Sequence, residues 1–177
     1  MPLAGGMLQH GHQCGMLWGA TLAAGAEAYR RHGPGPRAEA AAIGTAVKLV
    51  SVFRPRHDAI NCVDITSIDK SSSTWQMVSF FLLKGGTIGC FRMAAWYAPL
   101  ARNAIDSALS EPAAAPPSAP VSCAAELVRR MGASDMHAVM AAGLAGGIGM
   151  CGGACGALGA ALWIRAMEGV RKEGGKV

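Results

Sequence analysis

At 177 residues the chain has room for one domain or two small ones, and it can bury enough surface to fold without disulfide staples. Hydrophobic residues make up 51% and aromatics only 6%, with 24 glycines, which favours closely packed helices and argues against a sheet built on β-branched and aromatic alternation. The net charge of +5 comes from dispersed basic residues with no aromatics interleaved, which argues against a nucleic-acid partner.

Residues 1–13 read as irregular chain, ending in His10-Gly11-His12-Gln13. No basic residue precedes the first apolar stretch and no cleavage site follows it, so no signal peptide is expected. A first helix is predicted from Cys14 to about Arg31, stopped by His32-Gly33-Pro34-Gly35-Pro36. Pro36 suits the start of a second helix, running through Glu39 to about Phe53 and ended by Arg54-Pro55-Arg56. Residues 57–73 are polar, with no more than a turn around Cys62. Trp75–Leu83 is apolar and interrupted by Gly85-Gly86. A further helix spans Ile88 to Leu109, with Cys90 inside it and a kink or break expected at Pro99.

Glu111 to Pro120, EPAAAPPSAP, is a proline-rich linker. It divides an N-terminal segment, 1–110, from a C-terminal segment, 121–177, and the two are expected to pack as one composite domain. Ser122 is an N-cap for a helix from Cys123 to Met131, and Ser134 caps the next. That helix runs into Gly143–Trp163, GLAGGIGMCGGACGALGAALW. Eight of the seventeen residues from Gly143 to Gly159 are glycine, so this is no helix chosen for propensity. Two apolar helical pieces with a turn at Gly152-Gly153 fit better, and Cys155 then opens the second piece. The expected fold is all-α, a compact bundle of about six to seven short Gly/Ala-rich helices.

The start of the last helix repeats the start of the first. Cys14-Gly15-Met16-Leu17-Trp18-Gly19-Ala20 and Cys155-Gly156-Ala157-Leu158-Gly159-Ala160-Ala161 are both Cys-Gly-x-Leu-x-small-Ala. Cys14, Cys123 and Cys155 each stand at a predicted helix start, and Cys90 follows a glycine interruption. Thiolates so placed face unpaired N–H groups and the positive end of a helix dipole, a setting that suits redox chemistry or a metal–sulfur centre. The competing reading of each is a small buried hydrophobe. No Cys-x2-Cys pair occurs, so a zinc ribbon or ferredoxin loop is not supported. His10-x-His12-x-Cys14 could bind metal if extended, but an irregular N-terminus that happens to contain two histidines is the better reading. No Ser-His-Asp arrangement, P-loop or G-x-G-x-x-G after a strand is present, and no catalytic residue is assigned.

These residues resemble the redox-active protein family named for its C-GCAxxG-C-C cysteine pattern. Ser122-Cys123-Ala124-Ala125-Glu126 looks like its first element, and Gly143–Leu162 with Cys155-Gly156-Ala157 like its glycine element. Cys62 in Asn-Cys-Val-Asp and Cys90 in Gly-Cys-Phe look like the two later cysteines. Ala160 stands where the motif has its last glycine. The order is permuted, and Cys14-Gly15-Met16-x-x-Gly19 is a second, imperfect copy. The resemblance implies a helical, cysteine-dependent redox protein and an iron–sulfur centre.

The candidate ligands are therefore Cys62, Cys90, Cys123 and Cys155, with Cys14 as substitute or fifth thiol and Cys151 the weakest candidate. Gly15, Gly152, Gly153 and Gly156 would admit the cofactor. At least three of the five thiols should gather beside the Gly146–Gly156 turn. The alternatives are a helical membrane or scaffold protein with packing cysteines, and a thiol-based metal or redox sensor. Six cysteines without a secretory signal point to the cytoplasm; a membrane location is the alternative. Partners would be a redox protein and, through a flat apolar face, a second copy of the chain.

Overall fold

The computed structural model describes residues 2–83, 85–111 and 122–172. It is all-α, with no strand among the described residues. The helices are α1 (Gly15–His32), α2 (Pro36–His57), α3 (Cys62–Thr66), α4 (Thr74–Val78), α5 (Gly86–Ser110), α6 (Cys123–Arg130), α7 (Asp135–Ala142) and α8 (Gly156–Lys172). A π-helical turn, Ser79–Leu83, prolongs α4, and a 3-10 turn, Ile148–Met150, lies between α7 and α8. Of the expected linker, residues 112–120 lie outside the described residues, as does the tail beyond Lys172.

Local signals set most boundaries. The N–H of Gly33 closes α1 by donating to Tyr29 O, with Arg30, Arg31 and His32 in the last turn. Ser122 and Ser134 cap α6 and α7, accepting from the backbone N–H of Ala125 and His137. Two prolines do not break their helices as expected. α2 continues through Pro55 to His57, because a proline in the last turn forfeits little of the hydrogen-bond ladder and the chain then closes at Asp58 in the left-handed region. α5 runs uninterrupted through Pro99, since Tyr97 on one side of it and Ala101 and Ala104 on the other are buried. Tyr97 donates its hydroxyl to the Leu49 carbonyl at 3.1 Å and meets Phe53 edge-on at 5.0 Å.

The core lies among α1, α2, α5 and α7, filled by Leu17, Trp18, Leu49, Phe53, Leu144 and Ile148. Small residues allow close approach. A Cβ on Gly25 of α1 would collide with the Met140 backbone of α7. The C-terminal segment packs on the N-terminal one through α7 on α1 and α2, and through an ion pair from Arg129 of α6 to the buried Glu39 of α2. Ser122 also donates to the Ala142 carbonyl at 3.0 Å, fixing α6 on α7.

The repeat extends beyond the sequence similarity. The loop before α1 and the loop before α8 carry the same backbone hydrogen bonds at the same shift along the chain. Leu8 N–H to Pro2 O (2.7 Å) matches Gly149 to Gly143 (2.9 Å), and Gly11 to Gly5 (3.1 Å) matches Gly152 to Gly146 (3.0 Å). Left-handed residues recur in register: Gly5, Gly6, Leu8, Gln9 and Gly11 against Gly146, Gly147, Gly149, Met150 and Gly152. In both copies the glycine after the cysteine meets a leucine carbonyl, Gly15 that of Leu3 and Gly156 that of Leu144. The copies touch where Trp18 of one lies against Gly159 of the other.

Candidate cysteine site

Cys14 is the N-cap of α1, and its backbone N–H donates to the Ile60 carbonyl at 2.6 Å, which ties the start of α1 to the approach to α3. Asn61 strengthens that tie by accepting from the Gln13 N–H at 3.1 Å. Cys62 is the first residue of α3, and Cys90 lies in the second turn of α5. All three cysteines line one cavity of about 260 Å³, with Ala4, Gly5, Gly15, Met16, Ile65, Thr66 and Met93. Cys62 and Cys90 also line a neighbouring cavity of about 330 Å³, walled by Gln9, Ile68, Met77, Phe80 and Phe81.

The setting of Cys14 opposes what a helix start alone suggests. Burial pushes its thiol up to about 11. The amides of Met16 and Leu17 pull the other way without closing into a capping hydrogen bond, and the nearby Cys62 and Cys90 sulfurs add to the rise. Desolvation thus outweighs the N–H groups. Cys90 is also raised, again by burial first and by Cys62 second. The Thr66 hydroxyl lies 3.9 Å from the Cys62 sulfur and donates to the Cys62 carbonyl at 2.7 Å. Left alone, then, Cys14 is a protonated thiol in an apolar pocket.

The other candidates lie apart from this cavity. Cys123, at the first position of α6, and Cys155, just before α8, are exposed. Cys151 is half-buried, its sulfur 3.4 Å from the Gly149 carbonyl. Of the candidate glycines, Gly15 lines the cavity, Gly156 packs on Leu144, and Gly152 and Gly153 hold left-handed φ in the second loop. Gly153 adjoins the Gln13 side chain, so the second loop abuts the residues next to Cys14, whereas the N-terminal loop at Ala4-Gly5 walls the cavity. His10 and His12 do not line it.

Thr66 and Met93 were not singled out from sequence. The Cys62-x3-Thr66 spacing, one turn of helix, was a readable sign for the first; nothing in the sequence brings Met93 to the site. The donor set is three soft thiols in an apolar shell, the chemistry of iron–sulfur and soft-metal sites. Among the described residues, no group of three or more His, Cys, Asp or Glu side chains is arranged to hold a metal ion.

A family model described as putative redox-active protein (C_GCAxxG_C_C) matches residues 1–99. No curated protein and no solved structure matches the chain. The matched residues hold the Cys14 copy of the glycine motif, with Cys62 and Cys90 after it in chain order. Cys123 in α6 and Cys155 in the C-terminal copy of the glycine motif lie outside the match.

Proposed function

The chain belongs to the C_GCAxxG_C_C family of redox-active proteins, and we propose that it is an electron carrier whose centre is an iron–sulfur cluster held by Cys14, Cys62 and Cys90. The observation that carries this reading is the meeting of these three thiols at one apolar cavity. When bound, a cluster stores and passes single electrons at a potential set by charge, burial and hydrogen bonds to sulfur.

The chain's own residues have separable tasks. Met16, Ile65 and Met93 give the cavity an apolar lining, lowering the local dielectric. The Met16 and Leu17 amides favour a thiolate at Cys14 and offset part of its burial once a cation-bearing group is present. Gly15 keeps the start of α1 close under Leu3, since a side chain there would press on the Leu3 carbonyl. Cys123 and Cys155 supply no ligand in this reading.

Anaerobic purification tests it, with an absorption spectrum and iron and acid-labile sulfide analysis. The expected protein is coloured and carries both. Cys62→Ser and Cys90→Ser abolish the colour, whereas Cys123→Ser and Cys155→Ser retain it. A colourless, iron-free protein that forms a Cys62–Cys90 disulfide with a mild oxidant would replace the cluster by a dithiol couple at the same cavity. That second reading is favoured by the presence of both cysteines on the larger neighbouring cavity.

A further inference from the structure

The segment from Trp75 to Phe91 carries seven large apolar side chains that the fold leaves in water. Leu82 is 77% exposed, and Trp75, Leu83 and Phe91 are each 70% exposed, with Ile88, Phe81 and Val78 beside them in the chain. Scattered exposed leucines need no explanation, but an apolar run of this density marks a covered surface. The two limbs are Thr74–Leu83 and Gly86–Ser110, bent by 61°. No single described helix is long and apolar enough to cross a membrane; this bent pair passes only when its limbs are taken together.

Charge identifies what covers it. No Asp or Glu occurs between Asp69 and Asp106, while Lys70, Lys84, Arg92 and Arg102 all fall in that interval. Lys70 and Arg92 are exposed near the bend, whereas Arg102, farther along α5, is paired with Asp106. A second copy of the chain seated on the same face would bring these cations together, whereas an anionic lipid surface pairs with them. Apolar and aromatic residues at a bend, flanked by cations, have the make-up of an interfacial anchor rather than a span. We propose that the bend between α4 and α5 docks on an anionic phospholipid surface, with Leu82 and Leu83 entering the acyl boundary and the flanking cations meeting headgroups. The cavity walled by Phe80, Phe81, Cys62 and Cys90 then lies beside the lipid. This surface does not depend on the cysteines holding a cluster.

The test is co-sedimentation of the full chain with unilamellar vesicles of phosphatidylcholine, alone or mixed with phosphatidylglycerol, at low and high salt. Binding is expected to the mixed vesicles, weakened by salt, and at least about tenfold weaker to phosphatidylcholine alone. The double variant Leu82→Glu, Leu83→Glu should lose binding by a similar factor with unchanged far-ultraviolet circular dichroism, because both positions are already in water. Absence of binding to either vesicle, or full binding by the variant, overturns the proposal. So does a dimer that the same variant dissociates in the absence of any vesicle binding, which would make a second copy the occupant.

Discussion

The side-chain amide of Gln13 donates through Nε2 to the carbonyl oxygen of Gly152, at 2.5 Å. Gln13 belongs to the loop before α1 and Gly152 to the loop before α8, so one glutamine stitches the two copies of the glycine motif together. It is fully buried, and its backbone N–H is held by Asn61 beside Cys62. The second copy has Ala154 at the matching position and cannot return the bond.

Gln13→Ala should therefore destabilise the fold although it removes no apolar contact of note. It strands a loop carbonyl and opens a small void, for about 1–3 kcal/mol. Some of that is recovered because Gln13 Oε1 has no partner to lose. A urea denaturation midpoint unchanged within error would show that the two loops are held by packing alone.

Two helical glycines should respond in opposite senses to alanine. A Cβ on Gly25 would strike the Met140 backbone, which cannot step aside as a flexible side chain could. Gly25→Ala is expected to cost about 1–3 kcal/mol by forcing α1 and α7 apart. Gly44 in α2 has open space around it, so Gly44→Ala should stabilise by about 0.5–1 kcal/mol through helix propensity. Thermal melts of the pair, with wild type between them, check the ordering.

Glu39 is almost wholly buried and its partner Arg129 is about one-third exposed. The Glu39 carboxylate holds the Arg129 guanidinium above its usual range, so the two charges support each other. Arg129→Ala leaves the buried Glu39 carboxyl without its partner. The expected loss is about 2–4 kcal/mol, below the value for a fully buried pair because water reaches the arginine. Replacing both, Arg129→Met with Glu39→Leu, should recover most of it. A double variant no better than Arg129→Ala would mean that α6 is positioned by the pair itself.

The all-α class, the caps at Ser122 and Ser134 and the stop at Gly33 were legible because each rests on local chemistry. Pro55, in the last turn, ends α2 one residue late, and Pro99 does not break α5 because burial of Tyr97 and Ala101 outweighs a missing N–H, and burial is not local. The thiols of Cys62 and Cys90 were legible as candidates. Their companion was less so: Cys14 and Cys155 open near-identical motifs, and only the position of α3 and α5 decides which of them is covered. The duplicated loop backbones were hidden because left-handed positions held by glycine in one copy are held by Leu8 in the other. The apolar run at Trp75–Leu83 was visible, but its exposure was not.

The last prediction concerns Cys14 and pH. In the unfolded chain its thiol titrates near the ordinary 9.0, and in the cluster-free fold at about 11. Between these values the folded state keeps a proton that the unfolded state has lost. By linkage, that contribution to stability is complete below about pH 9 and is lost as pH rises towards 11. Cys90, raised in the same sense, adds to the fall, and Tyr97, raised by burial, extends it at higher pH. Cys14→Ala should therefore flatten the slope of stability against pH between 9 and 11 without removing it. The same burial orders the reactivity of the thiols in the cluster-free protein. At neutral pH, iodoacetamide should modify the exposed Cys123 and Cys155 first and Cys14 last, followed by mass spectrometry of peptides. Early modification of Cys14, together with a pH slope that Cys14→Ala leaves unchanged, would place that thiol in water and remove it from the apolar cavity.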